Sequence, residues 1–243
     1  MTLSHHGSEQ EITASPTAVP TYLLFQRVFF AACIVLAPLV STLYAILNPT
    51  ALGARSSGKI ALAVNTAANT TANQVHLVLG IVLSFLLPFA FLGMAWLSLR
   101  RAPWLATIAG LLSLLGWIPW SALIGQEGLT YTMVQMGGGT QFALLWERFN
   151  GDFVIITYLL IYIIGHLLST VLLAFALGRT RLISAWAAWA FALSSPLQVV
   201  AFVLHMALFI YIAFLLWFLA SIPAALALLH DTDKRMLPRK GSV

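Results

Sequence analysis

The chain has 243 residues, of which 60% are hydrophobic and 8% charged, with 12 Lys/Arg against 7 Asp/Glu for a formal charge of +5. A soluble domain carries about 25% charged residues, and apolar area left in water costs about 25 cal/mol per Å², so this composition excludes a soluble fold. The basic residues sit at the ends of apolar runs and form no stripe, which excludes nucleic acid and leaves the lipid bilayer as the principal partner.

In chain order, residues 1–20 are polar and read as a flexible cytoplasmic tail. They are not a signal peptide, because the first apolar run starts late and is long for an h-region. Apolar runs follow at 28–47, 76–99, 103–124 and 153–177, stopped by Pro49, Arg100-Arg101 and Arg179. After Arg181 an unbroken apolar stretch reaches Leu229. One span needs about 20 residues, so this stretch divides into 182–204 and 206–229 around a tight turn at Leu204-His205. Residues 231–243 form a basic tail. The expectation is an all-α integral membrane protein: one bundle of six transmembrane helices within 21–230, with no separate soluble domain.

Charge placement orients the bundle. Arg27, Arg100, Arg101, Arg179, Arg181, Lys234, Arg235, Arg239 and Lys240 fall on one side, and Arg55, Lys59 and Arg148 on the other. Positive residues favour the cytoplasmic side, so both termini are expected in the cytoplasm and the protein in the inner (plasma) membrane of a bacterium.

The outer segments 49–75 and 126–152 read as long loops. The first holds the sequon Asn69-Thr70-Thr71. The second holds three glycines, Gly137 to Gly139, without the Lys and Ser/Thr of a phosphate loop. It continues into a short interfacial helix around Phe142–Phe149, with Trp146 at headgroup level. Trp117 and Trp120 read as an outer aromatic belt, and Trp104 and Trp186 as an inner one.

All carboxylates and all Lys/Arg fall outside the six apolar runs. Intramembrane charges mark proton relays and ion pathways, so a pump built on a buried carboxylate is not expected, nor a retinal Schiff base. Glu127, Glu147 and Asp152 lie near the outer face in no motif. Cys33 reads as a small buried hydrophobe.

Polar candidates remain inside. Tyr158, Tyr162, His166 and Thr170 recur every four residues along the fourth span, with Ser169 beside them, and so share a helix face. A polar face avoids lipid, so it points inward towards Ser194, Ser195 and Gln198 of the fifth span. Interhelical hydrogen bonding accounts for such a stripe; a small-ligand site formed by His166, Tyr158, Tyr162, Thr170 and Gln198 is the functional alternative. His76 lies 23 residues before Leu99 and His205 lies 24 before Leu229, both about 35 Å from the cytoplasmic helix ends at 1.5 Å per residue. At matched height they meet one condition for shared metal or haem ligation, provided that spans two and six are neighbours.

Three functions are consistent with these residues. The leading one is a non-enzymatic accessory subunit, sensor or small-ligand binder with a cavity near His166, acting alone or beside other membrane subunits. The second is a haem or metal redox protein using His76 and His205. The third is a facilitator of a neutral solute.

Overall fold

The computed structural model describes residues 21–49 and 57–230. The expected tails, 1–20 and 231–243, and Arg55 lie outside the described residues, within which all regular structure is helical and no strand occurs. The helices run in order α1 (Thr21–Leu47), α2 (Gly58–Ala67), α3 (Thr70–Leu99), α4 (Pro103–Trp117), α5 (Trp120–Gln135), α6 (Thr140–Asn150), α7 (Phe153–Arg179), α8 (Ala185–Leu204) and α9 (Ala207–His230). Six spans are long and apolar enough to cross a membrane: α1, α3, α4 with α5, α7, α8 and α9. The expected six-span bundle is the fold observed.

The spans close into a ring. α1 packs on α3, α3 on α4, α4 on α7, α7 on α8, α8 on α9, and α9 returns to α1. Short connections make successive helices antiparallel neighbours, and an even number of crossings puts Thr21 and His230 at the same end. Lipid supplies no hydrophobic drive for helices to associate, so close approach relies on small residues. At the α4–α7 crossing, a Cβ on Gly116 would stand 2.4 Å from the His166 backbone nitrogen, and one on Gly165 would stand 2.6 Å from Gly116 Cα. Only glycine permits that spacing. Bulky apolar side chains such as Phe85, Leu111 and Trp189 point outward, where lipid takes them.

The tight turn falls where the apolar stretch required it. α8 ends at Leu204, and His205 takes the left-handed conformation at φ 54°. Met206 N–H donates to Ala201 C=O at 3.0 Å. That is a helix C-cap normally given to Gly or Asn.

Three expectations need correction. The first span begins at Thr21 rather than 28, which draws Arg27 into α1 as a buried residue. The second begins at Thr70, where Asn69 of the sequon caps α3 by accepting from Ala72 N at 3.0 Å. The third does not stop at 124 but breaks at Ile118–Pro119 and continues as α5 to Gln135. Glu127 is thereby inside the helical third span. Pro38, Pro88, Pro196 and Pro223 sit inside continuous helices; only Pro119 interrupts one.

The two outer loops are also more ordered than expected. α2, the end of α5 and α6 form a platform with a small core of Leu62, Met133 and Ala143. Glu147 accepts from Gly58 N at 3.1 Å, holding the start of α2 against α6. Gly137 (φ 100°) and Gly138 (φ 58°) make the turn from α5 to α6 in conformations that suit glycine. The expected interfacial helix is α6, and its Trp146 Nε1 donates to Thr130 Oγ1 at 3.0 Å.

Candidate functional site

The platform end of the bundle contains a cavity of about 450 Å³. Its origin is local. The glycine crossing clamps α4 to α7, and then the Pro119 break releases α5 from that path, so the space between α5, α7 and α8 is left unfilled. Trp120, Leu123, Leu159, Ile163, Val199 and Phe202 form apolar walls. Tyr44, Gln126, Glu127, Tyr162, His166 and Gln198 supply its polar groups. No Lys or Arg lines it.

One side of the cavity is a hydrogen-bonded cluster drawn from three helices. Tyr44 Oη of α1 lies 2.7 Å from both carboxylate oxygens of Glu127. Asn48 Nδ2 donates to Glu127 Oε1 at 3.3 Å. His76 Nε2 of α3 meets Glu127 Oε2 at 3.0 Å, while its Nδ1 lies 2.9 Å from the Tyr44 carbonyl oxygen. The rings of Tyr44 and His76 stack with centroids 4.2 Å apart, and Trp120 meets Tyr44 edge-on at 5.4 Å. Tyr44 and His76 are buried, whereas the Glu127 side chain keeps 31% of its surface exposed. The carboxylate is thus the accessible member of the group.

Hydrogen-bond geometry assigns the protons of His76. A carbonyl oxygen only accepts, so Nδ1 carries hydrogen. A 3.0 Å approach of Nε2 to a carboxyl oxygen needs one more proton between them. His76 and Glu127 therefore share a single proton, and the Tyr44 hydroxyl and Asn48 amide satisfy the rest of the carboxylate.

His166 faces the same cavity from α7. Its Nε2 pairs with Ser195 Oγ of α8 at 3.0 Å, and among the described residues its Nδ1 has no hydrogen-bond partner. Tyr162 stacks on His166 at 5.3 Å, and Trp117 approaches it at 4.7 Å. Beneath this layer Phe91, Trp117, Phe191 and Trp217 fill the bundle axis with mutual ring contacts. Trp117 and Trp217 carry buried indole N–H groups without partners among the described residues.

The sequence-derived candidates divide accordingly. Tyr162, His166 and Gln198 line the cavity. Thr170 is buried but donates to the His166 carbonyl at 2.7 Å and stays outside the lining. Tyr158 is 40% exposed and also outside it. A four-residue repeat advances about 40° per step around a helix of 3.6 residues per turn, so the stripe winds off the interior face by Tyr158. The structure does not join His76 to His205. Both His76 nitrogens are engaged elsewhere, and His205 is an exposed turn residue. Trp117 and Trp120 are core and cavity residues rather than belt residues; Trp104 and Trp186 are exposed. Asp152 caps α7 through Val154 N. Tyr44 and Asn48, which nothing in their local sequence singles out, complete the site. Among the described residues no three His, Cys, Asp or Glu side chains converge as a metal site would need.

The chain matches no protein-family model, no curated protein and no solved structure.

Proposed function

We propose that this multi-pass membrane protein is a small-molecule binder or sensor that receives its ligand in the cavity between α5, α7 and α8. Its orientation puts both termini in the cytoplasm and the platform outside, as the basic residues ask, in the plasma membrane of a bacterium. The observation that carries this reading is the cavity itself. At about 450 Å³ it falls in the range of small-molecule pockets, with apolar walls and a few convergent polar groups. The aromatic layer of Phe91, Trp117, Phe191 and Trp217 fills the bundle below it, which favours binding over passage of a solute.

The test is a thermal-shift screen of the detergent-purified chain against small cationic, neutral and anionic compounds. A ligand of the cavity raises the melting midpoint of the parent and leaves Val199→Trp, which fills the cavity from α8, unmoved. Identical responses from the two proteins across the whole screen would remove this reading.

A further inference from the structure

Resting on that reading, we propose that the cavity takes an organic cation, an ammonium group carried on an apolar body, and that its binding displaces the proton shared by His76 and Glu127.

The argument begins with charge. The cavity presents one carboxylate and no Lys or Arg, so nothing in its lining compensates an anion. Glu127 is its only acidic group, and 31% of that side chain remains open to an incoming ligand. Around it stand the faces and edges of Trp120, Tyr44 and Tyr162, the last two of which each meet Trp120 within 5.6 Å. Aromatic rings beside a carboxylate attract a desolvated ammonium through their quadrupoles as well as through its charge. Leu123, Leu159, Ile163, Val199, Phe202 and Val203 offer apolar surface for the body of the ligand. At the far side, Gln198 Oε1 suits a donor-bearing substituent.

The proton count follows from the hydrogen bonds. His76 holds Nδ1–H towards the Tyr44 carbonyl, and one further proton lies between Nε2 and Glu127 Oε2. While that proton is present the pair is neutral as a whole. An ammonium beside Glu127 makes the site cationic, and expulsion of the shared proton restores neutrality. The ammonium N–H then donates to the carboxylate, and His76 keeps its Nδ1–H as a neutral ring. One cation enters and one proton leaves. The titratable groups facing this pair are Tyr44 from α1 and, across the cavity, Tyr162 and His166 from α7. α4 carries no titratable side chain, and Lys59 of α2 borders a separate groove beside Gly137 to Gly139.

The experiment is isothermal titration of the full chain in detergent with 4-phenylbutylammonium, 4-phenylbutanol and 4-phenylbutanoate. It is run in two buffers of different ionisation heat to count protons, with empty micelles as the blank. The ammonium is expected to bind at least about tenfold tighter than the alcohol, with the carboxylate weakest and about one proton released per ammonium bound. Its affinity should then rise with pH, by up to about tenfold per unit. Glu127→Gln keeps a side chain able to accept from Tyr44 and donate to neutral His76, and should lose about a hundredfold in ammonium affinity. His76→Gln should still bind ammonium but release no proton. Equal binding of the alcohol and the ammonium, ammonium binding without proton release, or failure of all three probes to bind the parent would each overturn the inference. If Val199→Trp still abolishes the response to some compound of the screen, the cavity reading survives that result; if it never does, both fall.

Discussion

Glu127 holds two buried groups that have little other recourse. The Tyr44 hydroxyl and His76 Nε2 belong to residues only 1% exposed, so their hydrogen bonds cannot be replaced by water. Glu127→Ala should lower the melting midpoint by the equivalent of about 1–3 kcal/mol, while Glu127→Gln should recover most of that; equal midpoints for the two variants would show that the cluster carries no stability. His166 makes the same kind of demand on Ser195, which is fully buried and pairs with His166 Nε2. His166→Leu should cost about 1–3 kcal/mol and His166→Gln less, read from thermal melts in one detergent. The two sites differ in legibility. The His166 stripe was readable because its residues follow one another along one helix. Glu127 was visible only as a carboxylate near the outer face, since its partners lie 83 and 51 residues away. No local pattern links positions that far apart.

At the scale of helices, glycine separates two cases that look alike in sequence. A Cβ at Gly165 would stand 2.6 Å from Gly116 Cα, whereas a Cβ at Gly125 meets nothing within 4 Å. Gly165→Ala should therefore force α4 from α7 and destabilise by about 1–3 kcal/mol. Gly125→Ala, which removes backbone freedom from the interior of α5 without a clash, should stabilise by about 0.5–1 kcal/mol. Opposite shifts of the melting midpoint would bear out the crossing; loss of stability in both would not. Spans four to six were readable to within a few residues because lipid demands a continuous apolar run of known length. The third span was cut short, since Gln126, Glu127, Thr130 and Thr132 lower its hydropathy although nothing after Pro119 stops the helix. Those polar groups find partners instead: Gln126 with Asn150, Thr130 with Trp146, and Glu127 with the cluster.

For the whole molecule, an even number of spans closing a ring of antiparallel neighbours predicts a specific topology. Reporter fusions at Arg101, Arg179 and the C-terminus should all signal cytoplasm, and a reporter inserted at Gly138 should signal the opposite side. A C-terminal signal from outside would contradict the orientation drawn from the basic residues. The ring also gives the first and last spans a shared interface, although they stand furthest apart in the chain. The fold brings α1, through Tyr44, and α8, through Gln198, to one partly open cavity.

The sequence by itself determined the membrane class, six spans and the turn at Leu204-His205, because these depend on sums over contiguous residues: apolar length, charge and chain reach. It also placed His166 and Tyr162 on a common face. Only the tertiary structure decided that α9 returns to α1, that α5 leaves the α4 path, and that Tyr44, His76 and Glu127 meet. In water an amphipathic helix declares its buried side by polarity. Here the lipid-facing and interior sides are both apolar, so rotation and register are left to small-residue crossings such as Gly116 on Gly165 and to a few hydrogen bonds between helices. Those depend on shape in three dimensions, which the spacing of residues along one helix does not record.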